Sequence, residues 1–181
     1  MRLVWKPREP RAAEAARWMG GGLVVLVLIA LQMGAFGRLR LLGVYPEVLV
    51  VVACCVGLHR GPVAGAVFGF ILGFLMDVPG GHLVGLSGLG YAAAGLFAGL
   101  LGLRAFPERW SVTASAVALG TVASQAVYAA GASAFGFSLP FWEAGPRIIG
   151  ALLVYHLLLT PLVYPLTRQL ADWLMPRGLE A

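Results

Sequence analysis

Long apolar runs, separated by short clusters of charged, proline and glycine residues, dominate the chain from residue 18 onwards. A helix needs about 20 apolar residues to cross a bilayer core of roughly 30 Å. The pattern therefore predicts six spans, near 18–37, 41–58, 63–76, 84–103, 110–135 and 139–166. The second and third runs are shorter than a full crossing needs. The alternatives for them are one tilted hairpin or a partly re-entrant pair, and a re-entrant element would require cover from the rest of the protein.

Composition supports a membrane protein, since 60% of the 181 residues are hydrophobic and only 12% are charged. The mean hydropathy is +0.86, and a soluble domain would carry about 25% charged residues. We therefore expect an all-α polytopic membrane protein with about six transmembrane helices. Its predicted parts are a basic N-terminal arm (1–17), the membrane domain (18–166) and a short tail (167–181).

The net charge of +5 is distributed in a way that predicts orientation. With the N-terminus in the cytoplasm, six spans place ten basic residues on that side: Arg2, Lys6, Arg8, Arg11, Arg17, Arg60, Arg104, Arg109, Arg168 and Arg177. The opposite side receives three, namely Arg38, Arg40 and Arg147. This asymmetry follows the positive-inside rule, so both termini are expected in the cytoplasm. Nucleic-acid binding is disfavoured, because such proteins carry their basic residues on a folded soluble face.

A row of glycines at four-residue spacing marks the third span: Gly57, Gly61, Gly65, Gly69 and Gly73, with Asp77 next in register. Each four-residue step rotates by about 40°, so the positions from 65 to 77 share one helix face. Small residues at this spacing allow another helix to approach closely. Two interpretations remain open: the face packs inside the protein, or Gly65, Gly69 and Gly73 dock a helix from a partner protein.

Three charged residues, Glu47, Asp77 and Arg147, fall near the outer ends of the predicted spans. An ionisable group at membrane depth is costly and normally has a partner. One hypothesis is that Arg147 neutralises Glu47 or Asp77 and joins spans two, three and six. The alternatives are a local pair between Glu143 and Arg147, four residues apart, and an interfacial Asp77 that caps the turn after span three.

Catalysis has one weak candidate, because Ser87 in the run Gly85–Gly88 and His156 in span six resemble the dyad of rhomboid intramembrane proteases. Such a dyad requires the base within hydrogen-bonding reach of the nucleophile. The leucines that follow His156 depart from the glycine-spaced helix of that family. A lone histidine in a span more often bonds a neighbouring helix. No motif for a metal or a cofactor is evident, and we predict no enzyme activity.

A family resemblance rests on three segments: Tyr45-Pro46-Glu47, the glycine-spaced run from Gly61 to Asp77 with Gly80 and Gly85-Leu86, and Leu159-Thr160-Pro161-Leu162-x-Tyr164. Together they resemble the MreD family of rod shape-determining membrane proteins, over about residues 18 to 175. The glycine run with its aspartate is the most specific part. Position 47 is Glu, where the family pattern has Asp.

The resemblance implies a non-enzymatic role in the elongasome, which extends the peptidoglycan of rod-shaped bacteria from the inner membrane. It implies MreC as partner, through its single transmembrane helix, and indirectly MreB and the RodA–penicillin-binding synthase. The implied fold is similar to the substrate-binding components of energy-coupling vitamin transporters. Such a component is the main rival interpretation, with a pocket drawn from Glu47, Asp77, His82, Trp142 and Arg147. We favour a scaffold that docks the MreC helix on span three.

Overall fold

The computed structural model describes residues 11–34, 44–80, 84–104, 109–137 and 141–174, and structural statements here concern those residues. They form six helices without a β-strand: α1 (Arg11–Gly34), α2 (Val48–Arg60), α3 (Pro62–Gly80), α4 (Leu86–Arg104), α5 (Trp110–Ala134) and α6 (Phe141–Leu174). Five are long and apolar enough to cross a membrane, and α2 is shorter. The all-α polytopic prediction is confirmed. Arg38, Arg40 and His82, which entered the predictions of orientation and of a pocket, lie outside the described residues.

Helix α2 is the central element of the bundle. Every residue from Leu49 to Cys55 is at most 2% exposed, because α3, α4, α5 and α6 all contact the helix. A helix that is apolar all round belongs inside a structure, and the sequence from Val48 to Leu58 has no polar face. Its 13 residues reach only about 20 Å at 1.5 Å per residue. The surrounding helices provide the cover that such a short element needs in a membrane.

The glycine face of α3 is closed by α4. A Cβ added at Gly65, Gly69 or Gly73 would come closer than 3.0 Å to backbone atoms of α4, around Gly95, Tyr91 and Ser87 respectively. Close backbone approach is the reason for small residues here, and α4 contributes its own, Gly95 and Gly99, against α3 and the α2–α3 turn. The expectation that Gly65, Gly69 and Gly73 dock a partner helix is therefore wrong. The internal interpretation holds.

Successive helices run in opposite directions, so the end of one helix and the start of the next lie on the same side of the bundle. Gln32 at the end of α1 bonds the segment just before α2, and Gln125 late in α5 bonds Glu47. We call this the distal side. On the opposite, proximal side, Gly20 of α1 lies against Trp173 of α6. The start of α1 and the end of α6 thus share one side, as the even number of helices predicts.

Helix α6 is longer than the predicted sixth span, because it continues through Pro161 and Pro165 to Leu174. Proline in a helix interior removes a backbone hydrogen bond, but the helix continues past both prolines. The extension is held by Arg60, whose guanidinium donates to the Ala171 carbonyl and lies 3.3 Å from the Asp172 carboxylate. The predicted tail from residue 167 therefore begins as helix.

Candidate distal cavity

A cavity of about 580 Å³ lies among the distal ends of α1 to α5. Its lining mixes polar, acidic and tyrosine side chains with two methionines: Gln32, Met33, Tyr45, Glu47, Met76, Asp77, Ser87, Gly90, Tyr91, Ser124, Gln125 and Tyr128. Sites for small molecules commonly have 300–1,000 Å³ and a few convergent polar groups. Two of the three charged residues singled out in the sequence, Glu47 and Asp77, therefore meet here.

Asp77, at the end of α3, caps the start of α4. One carboxylate oxygen, Oδ2, accepts hydrogen bonds from the backbone N–H groups of Gly85, at 2.8 Å, and Ser87, at 3.1 Å. The first N–H groups of a helix lack intrahelical acceptors, and an acidic side chain there also favours the helix dipole. Asp77 is only 1% exposed, so these bonds compensate for its burial. These contacts agree with the alternative in which Asp77 caps the turn after the third span.

Glu47 immediately precedes α2 and faces α5 across the cavity. Its Oε2 atom accepts a hydrogen bond of 3.3 Å from the Gln125 amide. The adjacent backbone is fixed by Gln32, which donates to the Pro46 carbonyl and accepts from the Val48 N–H, each at 2.8 Å. A single amide from α1 thereby positions the segment that carries Glu47.

Arg147 does not join these carboxylates. Its side chain is exposed on α6, while the contacts of Asp77 are to α4 and its preceding turn and that of Glu47 is to α5. The predicted pair of Arg147 with Glu47 or Asp77 is thus absent from the described residues. The side chains of Glu143 and Trp142 lie outside the described residues. The predicted local pair between Glu143 and Arg147 is therefore not tested.

His156 is fully buried and bonds α5 through Thr121. Its Nδ1 atom lies 2.7 Å from Thr121 Oγ1, whose hydroxyl donates to the Val117 carbonyl, so the imidazole is the donor in this contact. The expected bond to a neighbouring helix is confirmed. Ser87 lines the distal cavity and is not bonded to His156. The rhomboid-like dyad is therefore not formed among the described residues.

Sequence reasoning missed most of the polar cavity wall, notably Gln32, Ser124 and Gln125. A signal existed for two of them: Gln32 and Gln125 are amides within apolar runs, where an unsatisfied polar group is costly. Tyr91 and Tyr128 carried no comparable signal, because tyrosines are ordinary near membrane interfaces. Metal binding finds no support in the described part, where no three His, Cys, Asp or Glu residues cluster.

Comparison with known proteins identifies a family. The family model described as "rod shape-determining protein MreD" matches residues 14–169, which include most of α1 and α6 and every helix between them. No curated protein and no solved structure matches the chain. The predicted similarity to vitamin-transporter components thus stays a prediction.

Proposed function

Because the chain belongs to the MreD family of rod shape-determining proteins, we propose that it is a non-enzymatic membrane scaffold of bacterial cell elongation. In this role it binds the transmembrane helix of MreC and thereby supports the peptidoglycan synthesis carried out with MreB and the RodA–penicillin-binding synthase. The observation that carries the proposal is the family match across the membrane domain. The chain then resides in the cytoplasmic membrane with both termini in the cytoplasm, in keeping with its basic residues.

The docking surface must be a face that the bundle leaves open, since the glycine face of α3 is filled by α4. Helix α1 is the best candidate. Only 6% of its span is buried inside the protein, against 28% to 44% for the other four long helices. Its open surface includes Gly22, where an added Cβ would meet no atom within 4 Å, and the exposed residues Leu26 and Ala30.

These three residues lie four apart, so they form one continuous stripe on α1. Helix pairs in a membrane gain most of their stability from close packing, which small residues permit. We propose that the MreC helix packs along this stripe, with Gly22 at the point of closest approach. Lipid covers the stripe when MreC is absent.

Co-purification in mild detergent tests the proposal. Gly22→Leu adds bulk to the stripe without touching the rest of the chain, so it should insert and fold normally while losing most of the bound MreC. Gly150→Leu on α6 is the matched control, because an added Cβ there also meets open space. It should retain MreC.

Two results would contradict this assignment. If Gly22→Leu keeps wild-type amounts of MreC, the stripe is not the docking surface. If the wild-type protein purifies with an ATPase-bearing transport module instead of MreC, the scaffold role itself is wrong and the transporter interpretation replaces it. Size-exclusion profiles of each variant establish that the protein is folded.

A further inference from the structure

The distal cavity is lined by two hydroxyl groups that belong to buried residues. Tyr91 and Ser124 both line it and are only 6% and 2% exposed. Neither side chain donates or accepts a hydrogen bond within the described part of the chain, although both are nine-tenths buried or more. The two residues are buried, but their hydroxyl oxygens open into the cavity and are not among the fully enclosed unpaired atoms of the described residues. These hydroxyls are therefore available to a molecule inside the cavity.

The cavity also contains two acidic side chains, Glu47 and Asp77. They line the same space as Tyr91 and Tyr128. No described Lys, Arg or His side chain forms an ion pair with either carboxylate. Each carboxyl group has hydrogen bonds on one oxygen, but neither has a cationic partner among the described residues. A positively charged occupant would interact favourably with both groups together.

The carboxylates retain the capacity to bind such an occupant. The bonds of Asp77 to the backbone use Oδ2, and the bond of Glu47 to Gln125 uses Oε2. The second oxygen of each group is free of hydrogen bonds from the described residues. Tyrosine rings add a face that attracts ammonium groups. Polar groups and aromatic rings thus surround a space of about 580 Å³.

We propose that the distal cavity binds a small organic cation, with its ammonium group between Glu47 and Asp77 and its body against Tyr91 and Tyr128. This inference is independent of the scaffold function and of MreC. The ammonium group can belong to a soluble amine or to the headgroup of phosphatidylethanolamine. The two sources share the same recognition chemistry, and the experiment separates them.

The test is thermal unfolding of the purified full chain in detergent, titrated with two pairs of probes. Choline is compared with its uncharged isostere 3,3-dimethyl-1-butanol, and tyramine with tyrosol, in which a hydroxyl replaces the ammonium. A ligand that binds only the folded protein raises the midpoint temperature with concentration. We expect at least one cation to raise it, and its uncharged counterpart to have no effect.

Variants assign the effect to the cavity. Glu47→Gln keeps the shape of the side chain and removes its charge, so it should weaken binding about 10-fold or more, as loss of a desolvated charge partner does. Tyr128→Phe removes one hydroxyl and should weaken binding by a smaller factor. Asp172→Asn is the matched control, since it removes a carboxylate on the proximal side; its affinity should equal that of the wild type.

The source of the cation is determined by repeating the titration with phosphatidylethanolamine or phosphatidylcholine added to the micelles. If phosphatidylethanolamine alone stabilises the protein in a Glu47-dependent way, and the soluble amines do not, the ligand is the lipid headgroup. The proposal is overturned if neither the amines nor the lipid stabilise the wild type. It is also overturned if the uncharged counterparts bind equally, or if Glu47→Gln binds as tightly as Asp172→Asn.

Discussion

Helices α3 and α4 form two very different regions along one contact. From Gly65 to Gly73 their backbones lie so close that no added Cβ fits at the glycines; we call this the seam. The same helices also carry Asp77, just beyond the seam, and Ser87 and Tyr91, whose backbones belong to the seam. The side chains of these three residues line an open cavity. The difference lies in what faces α3 and what faces the cavity: the glycines of α3 contact the backbone of α4, whereas the side chains of Ser87 and Tyr91 line the cavity.

The comparison separates residues that form the fold from residues that are available for binding. In the seam, every atom removed or added changes packing between two helices, so the sequence there is tightly constrained by structure. In the cavity wall, a side chain such as Tyr128, which is partly exposed and bonds no described residue, can be changed at little cost in folding energy. Asp77 lies at the boundary, since it both caps α4 and lines the cavity.

The largest effect is expected in the seam. Gly73→Leu would drive a side chain into the backbone at Ser87 and Gly88, and α4 cannot move without losing its packing on α2 and α5. Overpacking usually costs about 1–3 kcal/mol, and a clash with backbone atoms should exceed that range. We predict loss of monodisperse protein in detergent, measured by size-exclusion chromatography.

Gly150→Leu should purify normally, because its site is open. This control excludes a general effect of leucine in place of a helical glycine. A folded Gly73→Leu protein with an unchanged thermal midpoint would show that the seam is looser than described.

An intermediate effect is expected at the boundary residue. Asp77→Ala leaves the N–H groups of Gly85 and Ser87 without their acceptor. Unsatisfied buried donors cost about 1–3 kcal/mol, so the thermal midpoint should fall clearly while the protein still folds. Asp77→Asn keeps an acceptor oxygen and should lose less. Equal losses for the two variants would mean that the charge, and not the capping bonds, stabilises the junction.

The seam shows which features of the packing can be predicted from the sequence and which cannot. The four-residue glycine spacing identified a close helix contact, and hydropathy identified the helices to within a few residues at most ends. Spacing along one helix does not reveal which helix fills its face, so the choice between α4 and a foreign helix was undetermined. Helix α2 gave a clearer indication, since an all-apolar run such as Val48 to Leu58 can only be buried or face lipid.

The cavity could not be predicted to the same degree. Its wall combines residues from α1, α3, α4 and α5 with the segment just before α2, and their meeting depends on how the helices pack. Glu47 and Asp77 were identified because charges at membrane depth are rare. The prediction that Arg147 pairs with them was wrong. Similar depth in the membrane does not show on which side of the bundle a residue lies. Gln125, on α5, is the partner of Glu47 instead.

A smaller effect is expected at the proximal end, which provides a reference outside both regions. Asp172 is 46% exposed and faces Arg60 at 3.3 Å. Exposed ion pairs contribute about 0.2–1 kcal/mol, so Asp172→Asn should lower the thermal midpoint slightly. The reduction should shrink further in high salt, because salt screens exposed charges. A loss as large as that of Asp77→Ala would show that the α6 extension is part of the folded core.

The smallest effect on stability is expected in the cavity wall. Tyr128 is partly exposed to the cavity, and its hydroxyl bonds no described residue, so Tyr128→Phe removes a group that packing does not need. Substitutions of this kind change stability by about 0.5 kcal/mol or less. Thermal unfolding in detergent without added amines should therefore match the wild type, while the same variant binds an organic cation less tightly. A large loss of stability without ligand would mean that the hydroxyl supports the fold, and the cavity would then be structurally constrained in the same way as the seam.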